Sequence, residues 1–488
     1  MRIRAVHTLL LILIVCTGSR PSNAFEDHPS PVCRSLFIDA DALYKLVKGR
    51  RKEPREDQTH HEQLAALNGI LLPGGLRCHG ALRFLLYDVK IGEGFNLQKD
   101  VFYRAALVVH RLNQHTWQRC GGGRSCHEMW VLVLPPWCHV VHWRAPTDDR
   151  PRLPWGAFFD MQVMRSVVPV MEWDEYIETA NDGMLEVDTL LWGQWKGFFP
   201  DASFDKDQNR LQMQDFTKCE GGGRSVNYRH HCADGESSCS HPHQVGYSGK
   251  CDIVNARDAR CYLYAHGPTA EDVAETIVEE PAFSEASSIL LKRADNLMVP
   301  FPPTLVETDL YDVLLFNRKW RDLGDAFIAA NLPPGGYLAA HVRRGDFARY
   351  RAEFAPPLPD VARRLKALMA TTNVTKTFVC TDATADERVE LRQLMPAGSM
   401  VFFETDLGHP GYNAIVEQWI AARAHTFIGT GESVFTRAIQ HDRGLLGKSV
   451  DASRGHFCRQ HPTGAETCES SASRVPTQRS EFRRAYWD

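Results

Sequence analysis

From residue 337 onward the chain alternates short apolar runs with amphipathic stretches, and this limits what it can fold into. Residues 337–342 read as a buried strand, set off from the helical pattern over 312–330 by Pro333-Pro334-Gly335-Gly336. The next helix can be capped by Asp360, with Val361, Leu365, Leu368 and Met369 on its apolar face. Strand 377–381, helix 384–395, strand 400–403, helix 414–422, strand 425–428 and helix 433–441 continue the series. Strands joined through helices pair in parallel, so this half predicts a doubly wound α/β domain.

The first half opens the same way. Residues 82–89 form an apolar run ending at Asp88-Val89-Lys90, followed by the loop Ile91-Gly92-Glu93-Gly94-Phe95-Asn96. Phe102, Ala105, Ala106, Val109 and Leu112 then recur at helical spacing, and 130–134 read as the next strand, closed by Pro135-Pro136. Residues 190–260 are weakly patterned. Gly121-Gly122-Gly123-Arg124-Ser125 recurs there as Gly221-Gly222-Gly223-Arg224-Ser225, as expected of insertions that interrupt the first domain. The expected architecture is two Rossmann-like domains with a cleft between them, over 71–300 and 301–470. A peripheral segment 25–70 and a tail 471–488 flank them.

Several features point to an oxidising compartment. Arg2 and Arg4, the apolar run 9–15 and Ser22-Asn23-Ala24 make a signal peptide over 1–24, too short to span a bilayer. No later stretch is expected to insert stably in a membrane. Fourteen Cys are many for a cytosolic enzyme. Cys16 leaves with the signal, so the mature chain keeps an odd number. Cys458 and Cys468 flank a short loop and are read as a pair, and Cys261 as pairing with Cys219 or Cys232. His230, His231, Cys232, Cys239, His241 and His243 crowd together but fit no familiar zinc module, so no metal site is expected. Asn373-Val374-Thr375 is a glycosylation sequon. Tyr486-Trp487-Asp488 supplies no retrieval signal. A net charge of −4 makes nucleic acid an unexpected partner, and a monomer is expected.

Three segments fall where ligands bind in open parallel sheets, beyond the carboxyl ends of strands. In the first, Gly92 and Gly94 flank Glu93, a carboxylate at a strand-to-helix turn that could act as a base. In the second, His341-Val342-Arg343-Arg344-Gly345-Asp346 brings two arginines to a strand end, as suits a diphosphate. Arg343 is the ligand candidate, because Arg344 is read as ion-paired with Asp346. In the third, Gly429-Thr430-Gly431-Glu432-Ser433-Val434-Phe435 opens a helix whose N–H groups suit a phosphate, with Glu417 on the helix before it. A sugar-nucleotide transferase needs a base for the acceptor hydroxyl and a cation for the departing diphosphate. Where arginine and helix dipoles supply that charge, no metal is needed.

With these motifs the chain resembles the protein O-fucosyltransferases that modify thrombospondin type 1 repeats. The resemblance is carried by Glu93-Gly94-Phe95-Asn96-Leu97, by Trp130-Val131-Leu132-Val133-Leu134-Pro135-Pro136-Trp137 and by Arg293-Ala294-Asp295-Asn296-Leu297. His341-Val342-Arg343-Arg344, Cys380-Thr381-Asp382-Ala383, Gln418-Trp419-Ile420 and Phe427-Ile428-Gly429-Thr430 extend it over roughly 80–470. It implies a GT-B fold in the endoplasmic reticulum lumen and inverting transfer from GDP-fucose to Ser or Thr in folded repeats, with no essential metal or cofactor. It places the base on Glu93, with Gly92, Gly94, Phe95 and Asn96 beside the donor. It places Arg343 on the β-phosphate, with His341 and Val342 as neighbours, and Glu417, where the family more often has Asp, on the nucleoside side. Ser433, Val434 and Phe435 match its phosphate loop, where Val434 replaces a usual Thr, and Asp442 matches an acidic position further along that helix. Relatives acting on EGF-like repeats lack the loop glutamate, and a secretory lectin would not need Glu93 together with Arg343.

Overall fold

A computed structural model of the chain describes residues 71–72, 76–89, 94–119, 125–138, 140, 143, 152–181, 185–195, 210–213, 243–247, 251–264, 266–299, 305–350, 352–448 and 453–457. The signal peptide expected over 1–24, the segment 25–70, the tail 471–488, Gly92, Glu93, Cys219, Cys232, Cys458 and Cys468 lie outside the described residues, as do the Cys/His positions 230–241.

The N-terminal sheet holds β1 (Leu71–Leu72), β2 (Leu76–Tyr87), β3 (Ser125–Leu134), β4 (Val170–Glu172), β5 (Glu186–Trp195), β6 (Arg210–Met213), β7 (His243–Tyr247), β8 (Asp252–Tyr264) and β9 (Ser288–Lys292). Its strands run β4-β3-β2-β9-β5-β8-β6, and the six from β4 to β8 in that order are parallel. Strands β1, β6 and β7 add antiparallel pairings. The weakly patterned middle is thus partly structural: β5 and β8 are inner strands of the sheet, not insertions outside it. Only the last four residues of β8, Cys261–Tyr264, are buried in an unbroken run. Its polar first half hides the strand from a reading of apolar periodicity.

Helix α1 (Phe95–Arg119) covers this sheet, burying Phe102, Ala105, Ala106, Val109 and Leu112 as their spacing predicts. Helix α2 (Ala270–Glu279) packs beside α1 and starts in a capping box between Thr269 and Asp272. The helix expected over 312–330 is two, Leu305–Asp312 and α3 (Arg318–Asn331). Val313, Leu314, Leu315 and Phe316 between them are all buried. Four consecutive buried side chains cannot share one helix face. Asn317 restarts the helix by accepting from the Lys319 N–H at 3.2 Å.

The C-terminal sheet holds β10 (Leu338–Val342), β11 (Thr377–Thr381), β12 (Met400–Val401), β13 (Thr426–Thr430) and β14 (Ser453–Phe457), in the order β12-β11-β10-β13-β14, all parallel. Strand β14 has no counterpart in the sequence reading. Helices α4 (Leu358–Thr372) and α5 (Ala385–Leu394) cover one face, and α3 and α6 (Pro410–Arg423) the other. Along β10, Leu338, Ala340 and Val342 enter the first layer while Ala339 enters the second, the alternation of a strand buried on both faces. Asp360 does not cap α4: Pro357 holds that position and Asp360 pairs with Arg363. Helix α7 (Val434–Leu445) follows β13.

Cys138 and Cys251 form a disulfide. Cys261 is also disulfide-bonded. Cys380 is a buried free thiol. Asn373 ends α4 in the left-handed region (φ 53°) and is exposed, so the sequon is presented at the surface.

Candidate active site

The C-terminal sheet reverses its strand order between β10 and β13, and the crevice beyond the carboxyl ends of those two strands is where an open α/β sheet binds ligands. Two of the three candidate segments leave the sheet at that point. The Thr430 hydroxyl locks them together: it accepts the Arg343 N–H at 2.9 Å and donates to the His341 carbonyl at 3.0 Å. Thr381 completes the seam from β11, donating to the Val342 carbonyl at 2.6 Å.

Two carboxylates hold the Arg343 guanidinium, Asp382 on Nη1 and Asp346 on Nη2, the latter at 2.5 Å. This overturns the expected pairing of Arg344 with Asp346. Arg344 turns to Glu387 at 2.8 Å and to the Pro356 carbonyl at 3.1 Å, while its own N–H donates to Asp382 at 2.6 Å. Chain folding brings Asp382 and Glu387 to the arginines from the end of β11 and the first turn of α5, partners that local spacing could not reveal.

Beyond β13, Glu432 adopts φ 58° and Ser433 becomes the N-cap of α7. Ser433 is buried, and its hydroxyl caps none of the helix N–H groups. The orphan donors of Val434 and Phe435 therefore open at the crevice with helix-dipole support. Behind them, Thr436 meets His341 Nδ1 at 2.7 Å, and the Phe435 ring lies 4.8 Å from the imidazole. Burial, aided by Arg343, holds the His341 pKa down to about 3, so the ring is neutral. Gly429 is required by this packing, since a Cβ there would fall 2.3 Å from Thr436 Cγ2. Burial pushes the Glu417 carboxyl on α6 up to about 8, with Arg388 opposing. The Glu417 carbonyl accepts from the Cys380 thiol at 3.5 Å.

The remaining segment leaves the N-terminal sheet at its own switch point, between β2 and β9. Asp88, after β2, pairs with buried Lys292 at the end of β9 and accepts from the Val89 N–H. Gly94, next to the undescribed Glu93, accepts the N–H groups of Leu97 and Gln98 at 3.0 and 3.1 Å and so opens α1. The Phe95 ring is occupied in the core, stacked on Phe159 at 5.7 Å and 4.7 Å from Trp137. Asn96 Oδ1, by contrast, is buried with no partner among the described residues. One turn along lies Lys99, also buried, its pKa lowered by burial and drawn back up by Asp442 of α7. Asp442 accepts from Gln418 Nε2 at 2.6 Å, and burial raises its own pKa. Sequence reasoning missed Lys99, Thr436 and the roles of Thr430 and Asp382. Only Lys99 leaves a signal, a charge three residues after Asn96 at the buried start of a helix. Among the described residues no group of three His, Cys, Asp or Glu could hold a metal ion.

Known proteins were compared with this chain. A family model described as GDP-fucose protein O-fucosyltransferase matches residues 84–446. A protein of Plasmodium vivax named GDP-fucose protein O-fucosyltransferase 2 is 31% identical over 451 residues, covering 91% of this chain and 81% of its own. The Homo sapiens protein of the same name is 29% identical over 414 residues, covering 79% and 88%. The crystal structure of POFUT1 in complex with GDP-fucose is 13% identical with a TM-score of 0.47, covering 73% of this chain and 92% of that one.

Proposed function

The chain belongs to the GDP-fucose protein O-fucosyltransferases, and on that premise we propose that it fucosylates Ser or Thr in folded thrombospondin type 1 repeats. The observation that carries the reading is the meeting of Arg343 and the first turn of α7 at one switch point, joined through Thr430. A guanidinium beside open helix N–H groups is a diphosphate site. Ser433, Val434 and Phe435 line its helix side, Val434 through its backbone alone. Glu417 faces the nucleoside. With its pKa near 8 it carries a proton at neutral pH and can donate a hydrogen bond there. The buried, unpartnered Asn96 Oδ1 would accept from a donor hydroxyl.

In this scheme Glu93 accepts the proton of the acceptor hydroxyl as its oxygen bonds to the fucose C1. The bond from C1 to the β-phosphate oxygen breaks, and GDP leaves with the electron pair. Attack from the face opposite the phosphate inverts the carbon through an oxocarbenium-like transition state. Arg343 and the α7 N-terminus stabilise the charge gathering on the diphosphate. The acceptor class is taken from the motif resemblance carried by Glu93-Gly94-Phe95-Asn96 and the 130–137 segment. The Cys138–Cys251 disulfide suits the endoplasmic reticulum lumen.

The test is transfer from GDP-fucose by the purified secreted chain to a folded thrombospondin repeat and to an EGF-like repeat, in EDTA. Turnover on the thrombospondin repeat is expected. Glu93→Gln or Arg343→Ala should each lower kcat/KM by about 10²–10⁴-fold. Turnover on the EGF-like repeat alone would overturn the acceptor assignment, and none on either would overturn the transferase reading.

A further inference from the structure

Arg343 is gripped by two carboxylates, both exposed, that differ in what else they hold. Asp382, just past the end of β11, is built into the turn it touches. Besides Arg343 Nη1 it accepts the Arg344 N–H at 2.6 Å, and Gly345 folds directly over it. Gly345 sits at φ 31°, and a Cβ there would lie 2.4 Å from Asp382 Oδ2. The turn 343–345 is therefore wrapped around this carboxylate, and no bulkier residue than glycine allows it. Asp346 is the opposite case. Its side chain, 49% exposed against 31% for Asp382, holds Arg343 Nη2 alone among the described residues. Local hydrogen bonding fixes its backbone instead, the carbonyl accepting from Arg349 and Tyr350.

We propose that the two carboxylates act in opposite directions on the donor. Asp382 is a positioning residue that aims the guanidinium, and Asp346 is a placeholder that occupies the Nη2 side until the diphosphate replaces it. The inference rests on the reading of Arg343 as the diphosphate ligand. A phosphate oxygen can take the place of an Asp346 oxygen charge for charge, leaving Arg343 where Asp382 holds it. Exposed ion pairs hold weakly, so the exchange costs little. The Asp382 contact is shared with a backbone N–H and a packed turn, so losing it frees both the side chain and the loop. Asparagine at 382 would turn an N–H group toward either the guanidinium or the Arg344 amide, and donors do not pair with donors.

The test uses the full secreted chain, measuring GDP affinity by titration calorimetry together with kcat, KM for GDP-fucose and the unfolding midpoint. Asp346→Asn should bind GDP about two- to fivefold more tightly, as removal of a weak competing ion pair allows. Asp382→Asn should bind GDP more weakly and lose about 10²-fold in kcat/KM, the scale of a misplaced catalytic contact. Asp346→Asn weakening GDP binding, or both variants moving affinity in one direction, overturns the proposal. So does Asp382→Asn lowering the unfolding midpoint with GDP affinity unchanged, which would make Asp382 merely structural. If Asp382→Asn fails to fold, the sign of the Asp346→Asn effect decides alone. Arg343→Ala separates the two levels: unchanged GDP affinity there removes the diphosphate reading itself, whereas a large loss with same-signed carboxylate effects removes only this inference.

Discussion

The Arg343 N–H and the Thr430 hydroxyl meet at 2.9 Å, fastening the start of the arginine turn to the last residue of the neighbouring strand. The hydroxyl is buried and passes its own proton to the His341 carbonyl. Thr430→Val keeps the shape and leaves two buried backbone groups without their partner. It should cost about 1–3 kcal/mol in stability and weaken GDP binding, read by urea unfolding and calorimetry. Thr430→Ser, which keeps the hydroxyl, should recover most of both.

His341 gives the fold a defined acid response. Its folded pKa near 3 lies below the ordinary 6.5, so between these values the unfolded chain binds the extra proton. The stabilisation is fully present above about pH 6.5 and is lost as pH falls toward 3, at up to about 1.4 kcal/mol per pH unit. His341→Gln should be less stable at pH 7 but should lose less on acidification. Urea midpoints from pH 7 to pH 4 check this, and parallel lines for the two proteins would refute it.

The Cys138–Cys251 bridge closes a loop of sequence separation 113, tying the chain after β3 to the entry of β8. Beside it, Asp252 accepts from Trp173 Nε1 at 2.7 Å and pairs with Arg152 at 2.8 Å. Replacing both cysteines by Ser should cost about 2–5 kcal/mol, measured by thermal unfolding. Because the bridge joins segments flanking β3 and β8 of the N-terminal sheet while Arg343 and α7 follow strands of the C-terminal one, the variant that remains folded should keep its KM for GDP-fucose.

The strands of the C-terminal sheet were legible where the code is local. Residues 337–342, 377–381 and 425–428 are short apolar runs between helical patterns, and all three form inner strands. Arg343 was legible because it stands where such a run ends. Its partners were not: Asp382 arrives from another strand, and the choice of Asp346 by Arg343 over Arg344 depends on which arginine Glu387 captures. Strand β8 escaped notice because Asp252, Asn255, Arg257, Asp258 and Arg260 break its apolar pattern. The single helix expected over 312–330 failed for the reverse reason. Its apolar run was continuous, and tertiary burial turned 313–316 into a linker.

Cys380 carries a consequence for how this chain matures. Its thiol sits behind Glu417, and burial pushes its pKa well above the ordinary value. Exchange between thiols and disulfides proceeds through an accessible thiolate, which this residue withholds once folded. Cys138, Cys251 and Cys261 can therefore be oxidised in the same molecule without Cys380 attacking the finished bridges. The safeguard exists only after β11 and α6 have docked, so it protects the bridges only if the C-terminal sheet closes over its cysteine before they form.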